Sequence, residues 1–102
     1  MHVANLQLEG LLMAVASINN VLVRKGLLTV EEIDEALRKA EAGLTSEERV
    51  NEDLTPSNRD AVCFPIRLLQ EANRGQSARS VQPFSELARA VGLRKEPYND
   101  QM

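Results

Sequence analysis

Residues 3–43 read VANLQLEGLLMAVASINNVLVRKGLLTVEEIDEALRKAEAG, and this stretch decides the fold class. In its first half, Leu8, Leu11, Leu12, Val15, Ile18 and Leu22 recur at helical spacing within about a third of a helix circumference. Leu8, Val15 and Leu22 lie seven apart with Leu11 and Ile18 between them, so the stripe also reads as a short a/d seam. Val3, Ala14 and Val21 form a second apolar line. One helix of a small monomer rarely needs two apolar faces, which points to self-association or to a partner protein. Which line is core and which is interface stays open at this level.

Arg24 and Lys25 suit the negative end of a helix dipole, and Gly26 suits a left-handed cap, so the first helix is expected to stop there. A second helix is expected at once. Thr29 and Glu32 have the spacing of a capping box, and Glu31, Glu32, Asp34 and Glu35 fall in the first turns, where the dipole favours anions. Ile33, Ala36, Leu37 and Ala40 are its predicted inward stripe, and Gly43 its predicted end. The short link makes the pair an antiparallel hairpin over residues 1–43.

Beyond it, residues 44–56 read as a polar connection, with one capped turn at Thr45 and Glu48. A third helix is predicted from about Ser57 to Asn73, with Val62, Ile66 and Leu69 buried and with Pro65 bending or interrupting it. The run RGQSARSVQ reads as a loop. Pro83 then opens a last short helix in which Phe84, Leu87, Ala88 and Val91 face inward and Gly92 caps. Helices thus occupy 57–92 and a tail 93–102. Four of the five glycines fall at predicted helix ends; Gly10 does not, so either another helix approaches closely there or the first helix begins later.

The expected fold is therefore a single all-α domain over 1–102, a small bundle of about four main helices. Composition agrees. With Phe64, Phe84 and Tyr98 the only aromatics, the core must come from Leu, Val, Ile, Ala and Met, which suits helix-on-helix packing. The N-terminal stretch lacks the basic leader of a signal peptide and carries Glu9 beside its apolar run. With no run of roughly 18 uninterrupted apolar residues, no membrane association is expected. A single cysteine asks for no oxidising compartment, so the cytoplasm is the expected location.

The chemistry the residues could support is sparse. One His and one Cys, His2 and Cys63, lie too far apart in sequence to suggest a metal site, and the glycines are too isolated for a phosphate loop. No catalytic residue and no cofactor is predicted. Cys63, flanked by Val62 and Phe64, reads as a buried thiol, with a reactive one as the alternative. The acidic cluster at 31–35 reads as a solvated helix start, with a cation site as the alternative. Asn19 and Asn20 read as exposed near a helix end, or as buried register-setting residues of an oligomer.

Two local resemblances add expectations. VLVRKGLLTVEEIDEAL, residues 21–37, resembles the N-terminal helical hairpin of nitrile hydratase alpha subunits and looks like bacterial oligomerisation hairpins. What this implies is a hairpin that embraces a partner; the cysteine-rich metal motif of those enzymes has no counterpart here. SELARAVGL, residues 85–93, resembles the first helix and turn of helix-turn-helix DNA binders. Pro97 and Gln101 fall where the recognition helix should be helical and apolar, so nucleic-acid binding through Arg89, Arg94 and Lys95 is the lesser expectation. Residues 31–60, with ten acidic and four basic side chains, would repel a phosphate backbone. The leading expectation is a non-enzymatic interaction module, a homo-oligomer such as a dimer; an accessory subunit of an enzyme is a further alternative.

Overall fold

A computed structural model describes residues 3–45, 56–75 and 81–94. They form four helices: α1 Val3–Arg24, α2 Val30–Leu44, α3 Pro56–Arg74 and α4 Phe84–Leu93. The fold is an all-α bundle in which α1, α2 and α4 each pack principally on α3. The α1–α2 pair is joined by the tight link its sequence announces, but each arm buries its inner face against α3.

The link is built as the residues dictate. Gly26 has φ of 76°, the left-handed conformation that costs glycine nothing. Its amide donates to the Val23 carbonyl at 2.9 Å and the Leu27 amide to the Leu22 carbonyl at 3.0 Å, the paired bonds of a Schellman cap. Thr29 then starts α2 with the predicted capping box. Its hydroxyl accepts from the Glu32 amide at 3.0 Å, and the Glu32 carboxylate accepts from the Thr29 amide at 2.8 Å.

Two helix ends differ from the glycine-based prediction. α2 continues through Gly43 to Leu44, and the Thr45 hydroxyl donates back to the Glu41 carbonyl at 3.0 Å. α4 continues through Gly92 to Leu93 and is closed by Arg94, whose amide donates to Ala90 at 3.1 Å. With the last carbonyls satisfied this way, neither glycine has to turn left-handed. The inward stripe of α2 is also rotated from its prediction. Ala36 and Ala40 are exposed, while Val30, Leu37, Glu41 and Leu44 flank the buried Ile33 at partial exposure. Glu41 turns inward because an arginine of α3 waits for it.

α3 is the hub. It runs unbroken through Pro65, and Cys63, Ile66, Leu68, Glu71, Ala72 and Asn73 are all buried, spread over most of its circumference. Val62 and Leu69, predicted to lead its buried side, are only partly covered. The main core joins Leu12 and Ala16 of α1, Leu68 and Ala72 of α3, and Leu87 and Val91 of α4. Phe64 and Phe84 meet edge to face at 6.3 Å beside it. The inward residues of α4 are those its spacing predicts.

Polar groups fix the outer helices on α3. Arg67 donates to Asp60 at 3.2 Å on its own helix and to Glu41 of α2 at 3.3 Å. The buried Asn73 amide donates to the Val30 carbonyl at 3.0 Å, holding the start of α2. Glu71, 8% exposed, accepts from Arg74 at 2.6 Å and pairs with Arg94 at 2.5 Å, locking the end of α4. Such pairs make α3 polar in sequence and central in space.

Candidate interaction surface

α1 is the most apolar helix, yet only Leu12, Ala16 and Asn20 are buried along it. These lie four apart, one ridge laid on α3. Both apolar lines singled out from the sequence lie largely outside that ridge. Leu11 and Ile18 are 60% and 59% exposed, Val3 is 68% exposed, and Leu8, Ala14 and Val21 are also open to solvent; Val15 and Leu22 sit at the edge, partly covered. The buried ridge takes only Leu12 from the first stripe and adds Ala16 and Asn20, so neither line as a whole is the core.

The outward face of α1 is poor in charge. The helix carries two charged side chains, Glu9 and Arg24. Glu9 is partly buried on the core side, and Arg24, at the last turn, donates to Asn20 at 3.3 Å. Asn20 is 4% exposed, so it is buried within its own chain, contrary to the reading that places it in solvent. Leu6 adds to the outward face at 53% exposure. A largely apolar surface, interrupted by the exposed polar side chains of Gln7 and Ser17, is left uncovered by the other described residues.

Length and composition alone would also let α1 cross a membrane. Its inner ridge, however, covers Leu68 and Ala72 of the hub, and withdrawing α1 into lipid would strip that cover. The outward face also lacks the aromatic side chains that anchor a helix at a lipid interface.

The other groups of interest are already engaged. Cys63 is fully enclosed. Burial pushes its thiol pKa up, and the negative charge of Glu41 pushes it further, against a smaller opposing pull from Arg67. Both effects favour the protonated thiol. Burial works against the charged form of Arg67, but the hydrogen bond to Asp60 and the charge of Glu41 outweigh it, so its pKa is raised. A shallow cleft of about 150 Å³ beside it is lined by Asp60, Phe64, Arg67 and the α4 residues Ala88, Val91 and Gly92. That is well below the roughly 300 Å³ at which small-molecule sites begin, and its charges are spent on one another.

The acidic start of α2 is a solvated, self-paired surface. Glu32 serves the cap, Asp34 pairs with Arg38 at 2.5 Å, and Glu35 with Lys39 at 3.5 Å. Among the described residues no group of three or more metal-ligating side chains comes together. Of the proposed nucleic-acid contacts, Arg89 is exposed, Arg94 is bound to Glu71, and Lys95 lies outside the described residues. The capped turn at Glu48, His2 and the tail with Pro97 also lie outside them.

No protein-family model, no curated protein and no solved structure matches the chain.

Proposed function

We propose that this chain is a small, non-enzymatic, cytoplasmic interaction module that associates through the outward face of α1. One observation carries the reading. The most hydrophobic helix of the protein presents Val3, Leu6, Leu11, Ile18 and Val21 to solvent, while the more polar α3 occupies the centre. A surface that costs solubility and gives the monomer nothing is explained by a partner that covers it. Spacing of four along Leu12, Ala16 and Asn20 leaves this face free without loosening the core.

The test changes the face and spares the ridge. Leu11→Lys with Ile18→Lys places two charges where the partner would sit, on side chains that the core does not use. The purified protein should sediment as a dimer or larger at micromolar concentration, and the double variant as a monomer with unchanged helical circular dichroism. A wild-type chain that sediments as a monomer throughout removes self-association. Among the described residues, Arg94 pairs with Glu71, which does not favour the nucleic-acid reading.

A further inference from the structure

We infer that α4 is a removable helix. It fills a trough between α1 and α3 that also accepts, in its place, a short amphipathic helix of another protein carrying an aromatic, two aliphatic and an arginine side chain at the spacing of Phe84, Leu87, Val91 and Arg94. The inference goes beyond the interaction reading above and does not use the outward face of α1.

The trough is defined by what α4 places in it. Phe84, Leu87, Val91 and Arg94 recur at i, i+3, i+7 and i+10, a stripe within about a third of the helix circumference. Leu87 and Val91 close a cluster with Leu12 and Ala16 of α1 and Leu68 and Ala72 of α3. At the start of α4, Phe84 meets Phe64 edge to face at 6.3 Å; at its end, Arg94 reaches the buried carboxylate of Glu71. An apolar trough with an aromatic ring at one end and an acid at the other reads a helix by its anchors, and the acid selects a cation at the last of them.

α4 is held less firmly than its neighbours. At ten residues it is shorter than a helix that persists alone in water, so docking is what makes it helical. Pro83 precedes it and supplies no side-chain cap, whereas α2 starts on a full capping box. The Arg94 side chain is 60% exposed, so water competes for its ion pair. The seam itself is not fully closed. A cleft of about 150 Å³ opens between Phe64 and Arg67 of α3 and Ala88, Val91 and Gly92 of α4, and a Cβ on Gly92 would meet nothing within 4 Å. Well-packed interiors leave few gaps larger than a water molecule. Since α1 and α2 pack on α3 through contacts of their own, release of α4 leaves the other three helices assembled.

The experiment uses the full chain carrying Leu11→Lys and Ile18→Lys, in which the apolar face of α1 is blocked, and a fluorescent synthetic peptide of residues 81–94. In native-state hydrogen exchange, the amides of α4 should exchange at least tenfold faster than the slowest amides of α3. Val91→Ala in the chain weakens the hold of its own α4, so the peptide should bind that chain at least tenfold more tightly than its parent. A peptide with Arg94→Glu should bind at least tenfold more weakly than the native peptide.

Exchange of α4 only together with the whole molecule overturns the inference. So does a Val91→Ala chain that loses most of its helical circular dichroism, because α4 is then an integral part of the core. A peptide that binds neither chain, or binds both equally, finds no vacated trough and overturns it as well, as does binding indifferent to Arg94→Glu. Each of these outcomes leaves the reading of the α1 face untouched, which sedimentation of the native chain decides.

Discussion

Cys63 shows how one side chain's surroundings set its chemistry. Its thiol is enclosed between α3 and α2 beside Glu41, and both burial and that carboxylate favour the protonated form. The folded pKa lies above the ordinary thiol value of about 8.5, so the contribution of this group to stability is whole below that pH and is lost as pH rises past it. Raising the pH from 7 to 10 should therefore lower the urea midpoint of the native chain more than that of Cys63→Ala. At pH 7 the native thiol should react with a soluble disulfide reagent only as fast as the protein opens. That Cys63 is buried was readable from its neighbours Val62 and Phe64. The Glu41 contact was not, because a glutamate late in an acidic helix looks like any solvated one until Arg67, 26 residues away, is seen to draw it inward.

Among the helices, two glycines make opposite predictions. Gly26 carries φ of 76° and both bonds of the cap, so Gly26→Ala should destabilise the fold by about 1 kcal/mol. Gly10 has open space and ordinary helical backbone, so Gly10→Ala should stabilise the monomer by about 1 kcal/mol. Chemical denaturation in the Leu11→Lys, Ile18→Lys background measures both without interference from association. The helix starts and stops that depend on local bonds, the Gly26 cap and the Thr29 capping box, were legible because their partners are three to five residues away. The ends at Thr45 and Arg94 were read a residue or two early. There glycine is merely tolerated, and what closes the helix is a hydroxyl or amide of the next residues.

For the molecule as a whole, the arrangement of hydrophobicity is the feature to explain. Its apolar helix lies at the edge with one ridge buried, and its polar helix lies at the centre, stitched to α2 by Arg67 and Asn73 and to α4 by Glu71. If a second copy covers α1, folding and association are linked, and thermal stability depends on concentration. The unfolding midpoint should rise by a few degrees for each tenfold increase in protein concentration, and the Leu11→Lys, Ile18→Lys chain should show no such rise. By itself the sequence determined that the chain is helical, where α1 hands over to α2, and which residues of α4 face inward. Those features follow from spacing and from hydrogen bonds between near neighbours. Only the tertiary structure decided which face of α1 is buried and that α3 is the hub. A helix with apolar residues on more than one face does not say by spacing alone which side faces in, and a polar helix announces itself as central only when its charges are seen to meet partners on other helices.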